Sequence, residues 1–567
     1  MSKKAGRSEP RPRPAPARAG AAGGRPEPAR GSWLRRTPPW AIALGLVALH
    51  LLLAAWVFDP TVFTGGDNAS YLSLARSLVE GHGYRSTWEP GAPLHTQYPP
   101  VFPALIALGL LLGLKPWVGL KLIVLAFSAV AVAFSYLWLR RRGRPGLALA
   151  VGLILAASPG VLAQSHLELS DVPFWAFVMI ALWAFERLGK GDRVRFAIAI
   201  VATVLAYFTR SAGLPLVVAA GGWLAWRRRW RQLAVFAAVL LPLAFLWWLR
   251  AHQAGGVNYA RLFWYVNPYQ PELGTIGPAG LIHRLFENER KYLGTHLPVL
   301  LAESTAGALA VLSYLVSILA VFGWIARIRR PRVAELFFPL YVGLIFVWPE
   351  VWSGERFLLP AIPLVLAYAG EALGWLAARV DRRAVVPVGA VATALLLLLG
   401  MPAVQADAAT AAQCRGVYRA GQPLGCLDDA WQEFFGLAGW AKGALPPGAA
   451  VYSRKPGFFY VESGHPSLPV PMTRDPAEFF REARAQKVGY VLLDRLGGLT
   501  AYYFGPVLMA RPEAFCLMRT AGEQGVALLA IRTEPAPPRP APRSRDGISL
   551  ESCPASYYAP SFSPGAR

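Results

Sequence analysis

Charged residues are scarce in this chain of 567 residues, since Asp, Glu, Lys and Arg make up only 16%. Typical soluble domains have about a quarter. Acidic residues are fewer than basic ones, 33 against 57. Cysteine is absent from the first 413 residues. The low charge and the mean hydropathy of +0.37 exclude a disordered protein, a fibrous repeat and an ordinary cytosolic enzyme.

Apolar residues make up 54% of the chain, and stretches of membrane length recur from residue 40 to residue 402. A helix needs about 20 mostly apolar residues to cross a bilayer. The pattern predicts a multi-span α-helical membrane protein with about 11 transmembrane helices. The predicted spans are 40–58, 117–139, 146–163, 172–188, 196–209, 211–226, 233–249, 306–326, 334–349, 357–378 and 384–402.

The net charge of +24 is concentrated in short segments between these spans. Basic clusters in such loops mark the cytoplasmic side, so we favour membrane topology over nucleic-acid binding as their cause. The clusters place the N-terminus in the cytoplasm and residues 403–567 outside the cell membrane. They lie at 1–39, 140–144, 187–195, 227–231, 327–332 and 379–383.

Residues 101–114 are apolar but short. A helix of that length covers roughly 21 Å, whereas the hydrocarbon core is about 30 Å thick. A crossing here would put the 140–144 cluster outside. We therefore predict a helix that lies in or dips into the outer leaflet.

Composition divides the chain into four parts. Residues 1–39 and 534–567 are rich in Pro and Arg and are predicted to be disordered tails. Residues 40–402 form the membrane domain, and residues 403–533 form a small external α/β domain with strands at 449–452, 488–493 and 526–531. The external loops of the membrane domain are 59–116, 164–171, 250–305 and 350–356.

All four cysteines fall in the external region, where an oxidising compartment favours disulfides. Cys414 and Cys426 are close in sequence and are the expected pair. Four cysteines allow three pairings, and the spacing of Cys516 and Cys553 does not choose among them.

Ionisable groups gather in the first two external loops. Asp67 begins an amphipathic helix that carries Tyr71, and Asp171 begins a span after a short loop with His166 and Glu168. Taken alone, each Asp is best explained as a helix N-cap. Two carboxylates at the same mouth can instead act as a general base or as metal ligands.

Four motifs in order resemble one family. They are Asp67, Tyr71, Ala75, Leu78, Gly81 and Gly83 followed by YPPVFPAL, then LELSDVPF, YFTRSAGLPLVV and SGERFLLPAIPL. Together they resemble the GT-C membrane glycosyltransferases, in the family 39-like branch of protein O-mannosyltransferases and lipid A aminoarabinose transferases. The resemblance covers about residues 40–380, and the external α/β domain is also similar to that of bacterial members. Several relatives have Asp-Glu where this chain has Asp67–Asn68.

The resemblance implies an integral membrane transferase that moves a sugar from a polyprenyl-phosphate donor to an acceptor hydroxyl on the outer face, with inversion. It makes Asp67 the candidate base, with Asp171 supporting it. Arg210 and Arg356 precede spans at the outer face and can bind the donor phosphate, although snorkelling at the interface explains either one alone. Tyr71, His166 and Glu168 are candidate supporting residues.

The resemblance implies no cofactor with certainty. A divalent metal is conceivable if His166, Glu168, Asp171 and Asp67 approach one another, but their spacing matches no dedicated site. The partners implied are the lipid-linked donor, the bilayer, and an acceptor that is a glycan, a lipid or a protein. The location implied is the cytoplasmic membrane, with no nucleic-acid partner.

Two other functions compete with this one. A transporter normally carries ionisable groups near the bilayer midplane. The predicted spans are nearly free of them, and Lys121 and Glu371 show no evident partner in the sequence. A non-catalytic protein with an external ligand-binding domain would explain residues 403–567 but would leave Asp67 and Asp171 without a role.

Overall fold

The computed structural model describes residues 33–254, 259–522, 525–532, 543–544, 547–548 and 550–562. Residues 1–38 form a unit of their own, whose described part contains the short helix α1, Trp33–Arg36. Residues 1–32 of the predicted tail at 1–39 lie outside the described residues. Residues 39–567 form the second unit.

This unit begins with a bundle of mostly apolar helices, and every predicted span overlaps at least one of them. The helices are α2 Pro39–Trp56, α3 Asn68–Val79, α4 Val101–Leu111, α5 Val118–Arg141, α6 Pro145–Ala157, α7 Pro159–Gln164, α8 Asp171–Phe185, α9 Arg193–Thr209, α10 Leu214–Trp226, α11 Trp230–Ala254, α12 Tyr259–Phe263, α13 Pro278–Lys291, α14 Leu297–Ala302, α15 Gly307–Ile328, α16 Val333–Val347, α17 Ile362–Val380 and α18 Val385–Arg419.

By length and composition, five stretches of the described chain are long and apolar enough to cross a membrane. They are Pro39–Trp56, Val118–Arg141, Trp230–Ala254, Gly307–Ile328 and Arg382–Arg419. Other apolar helices are shorter, such as α8 with 15 residues. The helical architecture is thus confirmed, whereas the full set of eleven crossings stays a prediction.

Helix α8 occupies the centre of the bundle, because its apolar side chains are buried nearly all round, including Phe174 and Trp175. Helices α5 and α9 pack along it. Outer helices instead expose large apolar side chains, as α11 does with Phe245 and Trp248. A helix with an apolar outer face is the form expected beside lipid.

Several basic clusters meet at one end of the bundle through buried ion pairs. Arg142 lies 2.5 Å from Glu335, and Glu186 pairs with both Arg142 and Arg332. Glu371 pairs with Arg327, a partner that was not evident in the sequence. The loops at 140–144, 187–195 and 327–332 therefore share one end, as the positive-inside pattern requires.

Helix α4 corresponds to the short apolar stretch at 101–114. It has 11 residues and packs on α3 and on α5, where Gly109 closely approaches Ile123. One side buries Phe102 and Ile106, while Leu108 and Leu111 are exposed. A short helix is therefore present as predicted, and its position in the outer leaflet stays a prediction.

The C-terminal part folds into a small α/β domain. Its central sheet has the strand order β2-β1-β3-β5-β4, in which β1 runs parallel to β2 and β3, and β5 is antiparallel to β3 and β4. The strands are β1 Ala450–Tyr452, β2 Ser467–Leu468, β3 Val488–Leu493, β4 Phe515–Ala521 and β5 Val526–Ile531, with a separate hairpin of β6 Arg543–Ser544 and β7 Gly547–Ile548. The helices are α19 Asp429–Ala444, α20 Pro456–Ser463, α21 Pro476–Ala485 and α22 Leu499–Ala510.

The structure corrects the predicted boundary between the membrane and external domains at residue 403. Helix α18 continues through Pro402 to Arg419. Val404 and Ala408 are buried one turn apart, against Ala54 and Val57 at the end of the first helix. This packing keeps residues 403–419 helical, so the α/β domain begins after them.

The predicted disordered tail at 534–567 is also corrected, over residues 550–562. Cys553 forms a disulfide with Cys516, and Tyr558 stacks on Phe562 beside Trp440. The disulfide and the aromatic contacts fix this segment to the domain. The other disulfide joins Cys414 and Cys426, the pair expected from their spacing.

Candidate functional site

The first loop presents Asp67 to solvent. Asp67 occupies the N-cap position of α3, but its carboxylate accepts no capping hydrogen bond, and its side chain is exposed. The neighbouring Asn68 is fully buried, and its Nδ2 donates to the Phe63 carbonyl at 2.7 Å. A simple capping role therefore does not explain Asp67, and Asn68 faces away from the reactive surface.

Glu168, in the second external loop, contacts this first loop directly. Its carboxylate lies 3.3 Å from Lys121 Nζ and accepts hydrogen bonds from the Phe63 amide and from Asn68. Both ionic side chains are at most 2% exposed. Burial raises the pKa of Glu168, and Lys121 opposes that shift. Lys121 thus has a partner, which the sequence did not reveal, and the pair holds the loop that carries Asp67.

His166 does not join the carboxylates. Its ring packs near Phe58, and its carbonyl accepts a hydrogen bond from Lys121. Burial lowers the pKa of His166 to about 3, and the charge of Lys121 adds to that effect, so the imidazole is neutral at physiological pH. The described part of the chain contains no group of three His, Cys, Asp or Glu arranged to hold a metal ion. His166, Glu168, Asp171 and Asp67 therefore do not form such a group in the described structure.

Asp171 begins α8 and pairs with Arg210. Arg210 Nη1 lies 2.8 Å from Asp171 Oδ2 and donates to Ser170 Oγ at 3.1 Å. The Tyr71 hydroxyl contacts the same Ser170 oxygen at 3.2 Å. Asp171 is 2% exposed, so it holds Arg210 in place rather than meeting solvent. Tyr71 connects this pair to the helix that follows Asp67.

The two predicted arginines come together at one aromatic ring. The guanidinium carbons of Arg210 and Arg356 lie 5.2 and 5.0 Å from the centre of the Phe357 ring. Among the described residues, no carboxylate is in ion-pair contact with Arg356. The structure therefore brings together two cations that lie 146 residues apart in the chain.

A cavity of about 330 Å³ opens beside Asp67. It lies between the first loop, a short segment of the 250–305 loop and the α/β domain. Aromatic side chains form much of its wall, and Asp67, Glu89, Arg454 and Lys455 supply the charged groups. The aromatic members are Trp88, Tyr98, Tyr269, Phe458 and Tyr503.

Lys455 of the α/β domain reaches this cavity because α20 packs closely on α3. A Cβ at Gly457 would lie 3.0 Å from Ser70 Oγ and 3.1 Å from the Ser70 amide nitrogen, so glycine permits the approach. Burial lowers the pKa of Lys455, Asp67 opposes the shift, and Arg454 and Arg356 add to it. Lys455 thus lies near Asp67 of the first loop, near its neighbour Arg454 and near Arg356 of the membrane domain.

A second cavity, of about 410 Å³, lies between α13, α15, α16 and α17. It is almost wholly apolar, with walls that include Phe322, Phe338 and Val342. Leu358, which follows the Phe357 ring in the chain, lines one part of it. The apolar cavity and the paired arginines are therefore neighbours.

Sequence reasoning missed Arg454 and Lys455, and it missed the partner of Lys121. Arg454 and Lys455 follow the short strand β1 in the segment RKPG, which resembles an ordinary turn. Only the position of Gly457 against α3 brings them to Asp67. Lys121 is visible in the sequence as an isolated charge in a span. Its partner Glu168 is 47 residues away in the chain, so the pair is not.

Comparisons with known proteins agree with the motifs. Residues 97–249 match the family model described as dolichyl-phosphate-mannose-protein mannosyltransferase. No curated protein matches the chain significantly.

Solved structures match over most of the chain. ArnT from Cupriavidus metallidurans in the apo state is 16% identical, with a TM-score of 0.53, over 88% of this chain and 99% of that one. The same protein bound to undecaprenyl phosphate is also 16% identical, with a TM-score of 0.50, over the same shares of the two chains. The apo oligosaccharyltransferase of Archaeoglobus fulgidus is 13% identical, with a TM-score of 0.54, over 86% of this chain and 74% of that one.

These findings confirm the resemblance to the GT-C superfamily, and the chain has its fold. Within that superfamily, the family model and the ArnT structures confirm the predicted likeness to the mannosyltransferase and ArnT branch.

Proposed function

We propose that the protein is a membrane glycosyltransferase that moves a sugar from a polyprenyl-phosphate donor to an acceptor hydroxyl, with inversion at the anomeric carbon. The observation that carries the proposal is the exposed carboxylate of Asp67 among cations at the edge of a cavity. The undecaprenyl phosphate bound to the structurally similar ArnT supports a lipid-linked donor.

The donor needs a cationic site for its phosphate and an apolar site for its tail. Arg210 and Arg356 beside Phe357 supply two guanidinium groups, which bind phosphate oxygens in a fork. Asp171 holds Arg210 in the required orientation. The apolar cavity that Leu358 lines suits the first isoprene units of the tail.

Asp67 acts as the general base in this proposal. Its carboxylate takes the proton of the acceptor hydroxyl while the hydroxyl oxygen attacks the anomeric carbon. The bond from that carbon to the phosphate oxygen breaks, and the polyprenyl phosphate leaves with the electron pair. Arg210 and Arg356 stabilise the charge that develops on the phosphate.

The proposed topology places this reaction on the outer face. In that topology eleven helices cross the membrane, the basic clusters lie in the cytoplasm, and the α/β domain is external. The ion pairs that join Arg142, Arg327 and Arg332 to acidic partners support a common cytoplasmic end. Two disulfides in the C-terminal region support an oxidising compartment.

The experiment is a transfer assay with purified full-length protein in lipid and a panel of polyprenyl-phosphate sugars. Release of sugar to water or to added acceptor identifies the donor. We expect Asp67→Asn to lower turnover by roughly 10²–10⁴-fold, the usual contribution of a general base. Asn has nearly the size of Asp and caps helices about as well, so the fold is retained.

Arg210→Gln and Arg356→Gln should instead weaken binding of undecaprenyl phosphate. Asp171→Asn should lower activity less than Asp67→Asn does, because it releases Arg210 without removing the base. An Asp67→Asn protein with wild-type turnover on an identified donor would refute the assignment of the base. Lack of sugar release from every donor in the panel would refute the proposed activity.

A further inference from the structure

Tyr292 carries a buried hydroxyl group that the proposed mechanism does not use. The side chain is fully buried, and among the described residues no group accepts a hydrogen bond from its Oη. Leaving a buried hydroxyl without a partner is costly, so a ligand that accepts its hydrogen bond would stabilise this state.

The Tyr292 hydroxyl lies close to the arginine pair of the donor site. Arg356, Asp171 and the backbone amide of Gly354 are near it. Asp171 in turn pairs with Arg210 at 2.8 Å. The hydroxyl therefore borders the place to which the proposed function assigns the donor phosphate.

The groups around this hydroxyl leave its proton without an acceptor. The nearby backbone amide and the Arg356 guanidinium are hydrogen-bond donors. The two nearby carboxylates have other partners, because Asp171 pairs with Arg210, and Glu355 Oε1 accepts a hydrogen bond from Gln164 Nε2 at 3.2 Å. A phosphate held by the two arginines would supply the missing acceptor.

Packing fixes the orientation of the Tyr292 side chain. Residues Tyr292–His296 form a π-helical turn between α13 and α14, and such turns are frequent at functional sites. The Tyr292 ring stacks on the Phe346 ring, with centres 5.8 Å apart, and meets the His296 ring edge-on at 5.1 Å. The next residue, Leu293, lines the apolar cavity assigned to the donor tail. Tyr292 is thus held between the sites proposed for the tail and for the phosphate.

The hydroxyl keeps its proton at physiological pH. Burial raises the pKa of Tyr292 above its ordinary value of 10.0, and the Gly354 amide and Arg356 oppose that shift only in part. The group is therefore a neutral hydrogen-bond donor and not a base.

We propose that Tyr292 donates a hydrogen bond to the phosphate of the lipid-linked donor and stabilises it as the leaving group. The inference rests on the proposed function and adds a third contact to the two arginines. When the bond from the anomeric carbon to the phosphate oxygen breaks, the electron pair stays on that oxygen, and the phosphate goes from one negative charge towards two. The hydrogen bond gains strength as this charge develops, and Tyr292 keeps its proton throughout.

Tyr292→Phe tests the contact in the transfer reaction. The substitution removes the hydroxyl and retains the ring that packs on Phe346 and His296. With an identified donor, we expect kcat to fall roughly 10–100-fold, the usual contribution of a hydrogen bond to a charged group. The KM of the donor should change less than about threefold, because the contact is weaker before the charge develops.

Lipid binding to the purified full-length protein in detergent tests the same contact without turnover. Tryptophan fluorescence measures the affinities of undecaprenyl phosphate and of undecaprenol, which has the same tail and no phosphate. We expect the wild-type protein to prefer undecaprenyl phosphate. Tyr292→Phe should reduce that preference by about tenfold and leave the affinity for undecaprenol unchanged, whereas a purely structural role would weaken the binding of both lipids.

The matched control is Tyr136→Phe. Tyr136 is also fully buried, but it lies near Arg140 in the last turns of α5, close to the buried ion pairs of Arg142. The control removes a buried hydroxyl far from the donor arginines. Its kcat and its preference for undecaprenyl phosphate should stay within about twofold of the wild-type values.

Three results would overturn the proposal. The first is a Tyr292→Phe protein with wild-type kcat and an unchanged preference for undecaprenyl phosphate. The second is an equal loss of affinity for both lipids, which would assign Tyr292 to packing alone. The third is displacement of undecaprenyl phosphate by an equal concentration of inorganic phosphate, which would assign the site to a free anion. Failure of the proposed function shows separately, as the absence of sugar release from every donor in the panel.

Discussion

At the scale of single residues, the site depends on which charged side chains form buried ion pairs and which remain exposed to solvent. Lys121 and Glu168 form a buried ion pair beside the first loop, and Asp171 forms one with Arg210. Asp67 itself is exposed. The matched pairs therefore support the position of the group that the proposed chemistry uses.

Lys121→Met tests the supporting role of the buried pair. The substitution leaves Glu168 buried without its cation, and breaking such a pair usually costs about 3–5 kcal/mol. We expect denaturant unfolding in detergent to show a loss of this size. Lys121→Met combined with Glu168→Leu removes both charges and should recover most of the stability. Equal destabilisation by the single and double changes would contradict the interpretation.

The raised pKa of Glu303 predicts that the stability of the fold depends on pH. It follows α14, and burial raises its pKa to about 7, with the charges of Asp407 and Glu355 adding to the effect. The unfolded value is 4.5, so between about pH 4.5 and 7 the folded state keeps a proton that the unfolded state has released. Stability should therefore fall as the pH rises through this window.

Thermal unfolding between pH 4.5 and 8 measures this effect. Glu303→Gln mimics the protonated form and should flatten the profile, while Glu80→Gln, an exposed control, should leave it unchanged. A profile that keeps its slope in Glu303→Gln would assign the pH dependence to other groups.

At the scale of elements, the sequence predicted the strands β3 and β5 to the residue. Their apolar runs are local signals. Strand β4 was missed because its second half is exposed and polar, and β2 has only two residues. The cavity could not be predicted, because it depends on α20 meeting α3 across nearly 400 residues of chain.

Gly457→Ala tests that contact. The added Cβ lies 3.0–3.3 Å from Ser70 and Ala69, so α20 has to move by a few tenths of an ångström. Since misplacements of about 1 Å can cost roughly 100-fold, we expect about a tenfold loss of transfer with little change in thermal stability. Gly436→Ala on α19, where the Cβ meets open space, is the control. Unchanged transfer in Gly457→Ala would mean that the site tolerates this shift.

The two disulfides should have separable effects. Cys516→Ser with Cys553→Ser frees the segment 550–562 and should lower the stability of the α/β domain by about 2–4 kcal/mol. Cys414→Ser with Cys426→Ser should loosen only the end of α18 and the turn after it. Hydrogen exchange followed by mass spectrometry distinguishes the two regions. Detection of four free thiols in native membranes would contradict both disulfides.

At the scale of the whole molecule, the motifs and basic clusters predicted the GT-C architecture, and the structural matches confirm that fold. Periodicity and charge report where helices begin and end relative to a membrane. They carry no information on how the loops and the α/β domain converge, which depends on packing between distant segments. The corrected boundary at 403–419 is one example, because Val404 and Ala408 are buried against residues that are far away in the chain.

Cysteine labelling tests the topology. Residues 90 and 280 lie in predicted external loops, so cysteines introduced there should react with an impermeant reagent added to intact cells. Cysteines at 143, 229 and 330 lie in the basic clusters and should react only after permeabilisation. External labelling at 143 would refute both the eleven-span topology and the interpretation of residues 101–114 as a surface helix.

The tie between the last and first helices of the bundle has a consequence for biosynthesis. Arg415 Nη1 donates to the carbonyls of Trp56 and Phe58, which are 359 and 357 residues earlier in the chain. A ribosome adding 5–20 residues per second needs roughly 20–70 s to cover that distance. For that time water has to supply the hydrogen bonds of these two carbonyls at the end of α2, and Arg415 replaces it only after α18 has been synthesised.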